Sequence, residues 1–284
     1  LEKHGTENFP MTVNHDDLWS FEGKNVPIHW HNDLEINLIR EGEAVFQVYQ
    51  KSYRVRTGEG FLLNRNVPHS CSSPGNEHVR YSTILVRPDF LYGDFGSDVE
   101  RKCFQPFLQN SAIPCIYLTG FDENGKEILQ KLNQVEEAFD RKRFCYELKI
   151  KGLLCEAFAM ILYGHRQELT KFVPANLQEL ERLEKMLNYL NMHFTEVISL
   201  QDLADQVHLS REVCCRLFKK MTGKTITGYL EEYRVNKSFS LVQSGQYSMT
   251  QITEMVGFSN PSRFASAFRK RFGCNPGEYH SVKH

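Results

Sequence analysis

Two groups of side chains in this 284-residue chain have types and spacings suited to chemistry. One is cationic and occurs twice: Arg211, Cys215, Arg216 and Lys219, then Ser262, Arg263, Ser266, Arg269 and Lys270. Helix positions three, four and seven apart share a face, so each set presents cationic and polar groups together. Such faces suit the phosphates and base edges of double-stranded DNA. Arg263 is the foremost candidate for a base contact, because arginine donates two parallel hydrogen bonds to guanine. The other group is His29, His31 and Glu35, joined by His69 from a later strand. Strand residues two and four apart point to one side, so three imidazoles and a carboxylate can converge. They would suit a divalent transition metal, or line a pocket that hydrogen-bonds a small molecule, or simply pack. Asn64 is a further pocket candidate, and Trp30 becomes available to the pocket if the strand parity is reversed.

The elements that must position the cationic sets are themselves repeated. Ser199, Ala204, Val207, Ser210, Phe218, Lys219, Lys220 and Gly223 are echoed by Ser248, Thr253, Val256, Ser259, Phe268, Arg269, Lys270 and Gly273. Each copy reads as a short helix, a tight turn and a second helix closed by a basic run and a glycine, the helix-turn-helix pattern. In the first copy, 199–222, Ser199 caps a helix over 200–207, His208 and Leu209 turn the chain, and Ser210 caps the second helix. Val213, Cys214, Leu217, Phe218 and Met221 take its core positions. In the second copy, 248–273, Gly257 and Phe258 turn the chain, and Ser259 or Asn260 caps a helix with Pro261 in its first turn. Phe264, Phe268 and Phe272 form its inner stripe. A long helix predicted over 226–242 would hold the two units at a fixed separation.

Charge follows the same division. From Arg211 onward there are 12 Lys and Arg against 5 Asp and Glu, a balance of +7, so residues 1–210 carry −8 of the chain's net −1. A basic module on an acidic body fits phosphate contact, although solvated helix faces are also basic. With 41% hydrophobic and 24% charged residues, the chain has the composition of a globular protein with room for two domains. No run approaches the roughly 18 to 20 apolar residues of a membrane span, and residues 1–10 lack an apolar signal core. A cytoplasmic address with no membrane partner is the expectation. The eight cysteines form no C-x-x-C pair, so most are expected to be small buried hydrophobes.

From about 12 to 86, β-rich runs at 34–39, 44–49, 60–63 and 81–86 are punctuated by Gly42, Gly58, Gly60 and Pro68, which predicts an antiparallel barrel or jelly roll. Two amphipathic helices follow, marked by Ile128, Leu132, Val135 and Phe139, then Leu148, Leu153, Phe158 and Leu162. They either cover the barrel or pair with a second subunit, which makes a homodimer an expected assembly. The polar stretch 164–176, with Pro174, reads as a linker that leaves the halves free to move. The division expected is 1–165 for effector binding and dimerisation, 166–178 for the linker and 179–284 for the helical domain.

Over roughly the last hundred residues the chain resembles the DNA-binding domain of the AraC/XylS family of bacterial transcription regulators. The resemblance rests on Gly257-Phe258-Ser259, Phe264, Phe268, Arg269, Lys270, Phe272-Gly273, Pro276 and Tyr279. Ile226 departs from a frequent proline, and His280 from a common arginine, a change that removes one expected phosphate contact. The first half resembles a cupin: Gly23, His29, His31, Glu35 and Gly42 follow its first motif, while Gly60 through Pro68-His69 follow a shortened second one.

The two resemblances imply a two-domain regulator, a cupin-like barrel with added helices joined to an all-α domain with two helix-turn-helix units. Its function would be sequence-specific transcriptional regulation tuned by a small, carbohydrate-like effector in the barrel, with RNA polymerase as a further partner if it activates. No cofactor is required on this reading. The alternatives are a metal-dependent cupin enzyme, with a divalent metal on His29, His31, Glu35 and His69, and a regulator without an effector.

Overall fold

The computed structural model describes residues 5–74, 77–174 and 176–281, with the side chains of His280 and Ser281 outside the described set. Among the described residues nine strands lie in the first half of the chain: β1 (Met11–Asp17), β2 (Asn25–His29), β3 (Leu34–Glu41), β4 (Glu43–Val48), β5 (Lys51–Arg56), β6 (Gly60–Leu63), β7 (His69–Ser72), β8 (Arg80–Val86) and β9 (Cys115–Leu118). They form two antiparallel sheets, ordered β1-β8-β3-β6-β9 and β2-β7-β4-β5. The sheets face each other around an interior filled by Ile39, Phe46, Phe61, Leu63, Val55 and Tyr81. This is the cupin-like barrel that the short β-rich runs predicted.

Strand β3 runs Leu34-Glu35-Ile36-Asn37-Leu38-Ile39, all six buried, because it is covered on both faces. Leu34, Ile36 and Leu38 pack outward with Leu62 and Ile84 into a second core. That core is closed by α1 (Pro88–Tyr92), α2 (Gln105–Leu108), α3 (Glu123–Arg141) and α4 (Tyr146–Gly164). The period of two therefore sends Glu35, Asn37 and Ile39 to the barrel interior. Two polar residues at inward positions, where a strand fully covered on both faces normally carries apolar ones, already mark a site rather than a plain core.

The chain does not loosen after α4. A short helix α5 (Arg166–Leu169) follows, and residues 171–174 are tied back to the barrel. Asn110, 1% exposed, accepts from the Val173 amide at 3.1 Å and donates to the Lys171 carbonyl at 3.3 Å. The Ser111 amide donates to Val173 O at 2.7 Å. The expected free linker is thus corrected: a buried asparagine needs partners, and the passing backbone supplies them. Ala175 lies outside the described residues. The cysteine expectation also changes, since only Cys71 and Cys214 are buried.

The C-terminal half is all helical: α6 (Leu177–Met192), α7 (Leu200–Gln206), α8 (Arg211–Thr222), α9 (Ile226–Ser244), α10 (Met249–Met255), α11 (Pro261–Phe272) and α12 (Pro276–Ser281). It holds two cores, one per repeat. Leu183, Met186, Leu203, Cys214 and Phe218 build the first, and Val235, Ile252, Phe264, Phe268 and Phe272 the second. Helix α9 contributes to both through Tyr229 and Val235, which is how one rigid rod spaces the two units. No helix among the described residues is long and apolar enough to cross a membrane.

Candidate functional site

Local chemistry sets the helices of each unit. Ser199 accepts from the Asp202 amide and Ser210 from the Val213 amide, capping α7 and α8. Ser248 and Gln251 form a reciprocal capping box on α10, and Asn260, rather than Ser259, caps α11 by accepting from the Arg263 amide. The turns share one backbone conformation across the repeat, with His208 at φ 53° and Gly257 at φ 78°. Only glycine fits at 257, because a Cβ there would lie 2.7 Å from the Thr195 backbone. Gly223 and Gly273 close α8 and α11 in the left-handed region, and the basic runs before them complement the negative ends of those helices.

The candidate DNA-contacting residues divide. Arg211, Arg216 and Lys219 on α8, and Ser262, Arg263, Ser266, Arg269 and Lys270 on α11, are exposed. Cys215 is half-buried against the first core and offers little outward surface. Arg263 is engaged by Glu231 of α9, Nη2 to Oε2 at 3.0 Å, a contact it must leave to reach a base. Two cations of the basic runs are committed elsewhere. Lys220 pairs with Glu179 of α6 at 2.6 Å, and Arg271 points back to the barrel, donating to Gly23 O at 2.7 Å and Lys24 O at 3.2 Å.

Arg271 belongs to a wider contact between the halves. Lys237 of α9 pairs with Glu22 at 2.7 Å, and Ile28, Trp30 and Tyr49 pack against the first core of the helical domain. The segment 22–30 therefore leans on both units at once. Arg271→Ala should remove charge-assisted hydrogen bonds together worth about 1.5 to 3 kcal/mol. Faster amide exchange at residues 23–25 with unchanged exchange in α8 would show that loosening. Unchanged rates at 23–25 would show that the guanidinium holds nothing.

In the barrel, the structure corrects the strand argument while keeping its four residues together. His29 ends β2, the chain turns at 30–33, and Glu35 lies on β3 of the opposite sheet. His31 sits in that turn, so the convergence comes from a chain reversal, not from one strand face. His69, at the start of β7, pairs in register with His29. His31 Nε2 is 2.8 Å and His69 Nε2 is 3.2 Å from Glu35 Oε2, and the His29 and His69 rings are 4.2 Å apart. Asn37 donates to Glu35 Oε1 at 2.7 Å and is itself bonded by Thr83 Oγ1 at 3.0 Å.

Burial opposes charge on Glu35, but the His69 charge and the His31 hydrogen bond outweigh it and hold the carboxyl well below its ordinary range. Burial and the neighbouring His69 push His29 down to about 4. At His31 burial works downward, yet the Glu35 contact raises the ring above its usual value.

These groups open onto a cavity of about 460 Å³ lined also by Asn14, Asp16, Trp30, Asn37, Tyr81 and Thr83. Trp30 thus lines the cavity together with the histidines. Asn64 does not: its side-chain amide donates to the carbonyls of Phe107 at 2.8 Å and Ile113 at 3.2 Å, and it faces a different cavity. Asn64 precedes the turn at 65–68, so its position past the end of β6 takes it away from the barrel interior. Asn37, Asp16 and Thr83 escaped the sequence reading, although their polarity at inward strand positions was the available signal.

A pocketed barrel joined to a double helix-turn-helix unit defines a DNA-binding transcription regulator that carries a ligand-binding type of domain. Comparison with known proteins agrees. The AraC-like ligand binding domain family matches residues 18–158, and a helix-turn-helix domain family matches residues 203–281. The chain is 31% identical to the HTH-type transcriptional activator RhaR of Mannheimia succiniciproducens over 90% of this chain and 87% of that one. It is 27% identical to the uncharacterized HTH-type transcriptional regulator YdeC of Bacillus subtilis over 98% and 94% of the two chains. It is also 21% identical to the melibiose operon regulatory protein of Escherichia coli over 89% and 83%. The chain belongs to the AraC family of transcriptional regulators. Its relatives are regulators, not enzymes.

Proposed function

We propose that this regulator senses a small polyhydroxy compound in the barrel cavity and reads its operator with α8 and α11. The observation that carries the effector half is the cavity itself, which combines carboxylate, amide and hydroxyl groups with Trp30 and Tyr81. Sugars are recognised by that mixture of directional polar groups and aromatic faces, and the volume suits one small ligand. Relatives include a protein named for control of a melibiose operon, which supports the same class. Thermal shift against a panel of sugars and sugar acids tests it. A true effector at about 100 times its dissociation constant adds roughly 2.7 kcal/mol to the domain it binds. Silence across the panel would favour a barrel that serves assembly alone.

On the DNA side, Arg211, Arg216 and Lys219 face one groove segment, and Ser262, Arg263, Ser266, Arg269 and Lys270 face another. Arg263→Ala should cost about 1 to 3 kcal/mol on the operator and relax preference at one base pair. Competition binding with single-base operator variants measures it. Equal loss on operator and random DNA would reassign Arg263 to phosphate.

Dimerisation through α3 and α4 completes the reading. Phe144 between these helices is 99% exposed, and Leu148 and Tyr163 on α4 are 72% and 70% exposed. Apolar groups so placed suit a second copy of the chain. The protein would act in the cytoplasm, with RNA polymerase as partner where it activates.

A further inference from the structure

We propose that Glu231, on the spacer helix α9, is a specificity-determining residue that competes with the operator for Arg263 and so lowers both operator affinity and discrimination at the base pair Arg263 reads. The proposal deepens the DNA reading above and rests on it for the base contact of Arg263.

Arg263 is the third residue of α11, and it is fixed at both ends. Its amide donates to Asn260 Oδ1 at 2.8 Å, which sets the backbone, and its guanidinium donates to Glu231 Oε2 from Nε at 3.2 Å and from Nη2 at 3.0 Å. Two donors thus converge on one carboxylate oxygen. Guanine takes two adjacent donors of the guanidinium fork, and Nη2 belongs to either pair the fork can offer. Among the described residues, Arg263 is the one cation of the two outer faces held in an ion pair. With 59% and 35% of the two side chains exposed, that pair is modest in strength and within reach of a duplex.

The charges around the pair are committed elsewhere. Glu232 is held by Lys224 Nζ at 2.6 Å, and Arg234 donates to the carbonyls of Phe194 at 2.6 Å and Glu196 at 2.7 Å. Arg234 lies close enough to Arg263 for their like charges to oppose each other. Glu231 offsets that repulsion, and without its charge the guanidinium would be driven outward, to the side that meets DNA.

On unrelated DNA Arg263 can stay with Glu231, and nothing is lost. On the operator it gives up that partner and leaves a carboxylate unpaired beside the phosphates. The cost therefore falls on the specific complex alone. Specificity is a difference between two affinities, so a penalty on the correct complex narrows it. Weaker operator binding also keeps the regulator within the range that an effector's differential affinity can shift.

The test uses the full chain and Glu231→Gln, which keeps the side-chain shape and removes the charge. Fluorescence anisotropy measures binding to a duplex selected by the unaltered protein from a random pool, to versions of it changed at one base pair, and to an unrelated duplex. Glu231→Gln should bind the selected duplex about threefold to fivefold more tightly, as expected for freeing an exposed ion pair. Affinity for the unrelated duplex should rise by less, and preference at the base pair read by Arg263 should sharpen. In the Arg263→Ala background the same substitution should change nothing, because no pair is left to break.

A gain that persists in Arg263→Ala comes from bulk charge and overturns the proposal. Unchanged operator binding by Glu231→Gln does so too. Weaker operator binding would make Glu231 a support that steadies Arg263 against its base, which also overturns it. The two readings fail separately. Equal loss on selected and unrelated DNA in Arg263→Ala removes the base contact itself, whereas a loss confined to the selected duplex, with no gain in Glu231→Gln, removes only the competing role of Glu231.

Discussion

Operator affinity should fall about five-hundredfold when salt is raised from about 50 to about 200 mM, the loss expected for roughly five phosphate-neutralising cations. The count comes from the exposed Arg211, Arg216 and Lys219 of α8 and Arg269 and Lys270 of α11, Arg263 being assigned to a base. Lys220 and Arg271 are left out because Glu179 and the Gly23 carbonyl already hold them. Each cation placed on a phosphate releases condensed counterions, so the slope of log affinity against log salt counts contacts. Lys270→Ala should therefore weaken all sequences alike and flatten that slope by about one unit. An unchanged slope would take Lys270 off the backbone. A slope steeper by about two for the unaltered protein would show that Lys220 and Arg271 are released on DNA, and one twice as steep that two chains bind together.

Phe268→Ala is expected to destabilise the helical domain by about 3 to 5 kcal/mol, the range for truncating a fully buried aromatic ring. Phe268 is 0% exposed and stands at the centre of the second unit, 4.5 Å from the Phe272 ring, 5.8 Å from Phe264 and 6.0 Å from Tyr279. These rings fasten α11 to α9, so losing one removes both burial and edge-to-face contacts. Urea unfolding followed by circular dichroism should show an earlier transition, and operator binding should be lost with it. Arg269→Ala, one residue away and exposed, should leave the transition within about 0.5 kcal/mol while weakening DNA binding. If Phe268→Ala unfolds like the unaltered protein, α11 is held by something other than this core.

The helical half was legible because its determinants are local. Caps act within three residues, as with Ser199 and Asp202 or Asn260 and Arg263, and a helix buries one stripe every three to four residues. The duplication then shows twice over which faces are core and which are free. Even there, adjacent basic residues took different fates. Nothing local separates Lys270, which is exposed, from Arg271, which meets Gly23 almost 250 positions away.

The barrel was legible only as a class. Short β-rich runs between glycines announce an antiparallel fold, and the four residues His29, His31, Glu35 and His69 could be nominated from type and motif spacing. Their geometry could not, because it depends on which sheet each strand joins. The period-two argument placed three of them on one strand face, whereas the turn at 30–33 sends β2 and β3 to opposite sheets and brings the residues together across the interior. The sequence by itself therefore determined the class of protein and its two helix-turn-helix units, which rest on contacts between near neighbours, and it named the members of the polar cluster from residue type and motif spacing. Tertiary structure alone decided that Asn64 faces another cavity, that the passage from barrel to helical domain is tied down, and that three imidazoles gather with Glu35 across the barrel interior. Those outcomes depend on strand pairing and domain packing between residues far apart in the chain, which no local pattern encodes.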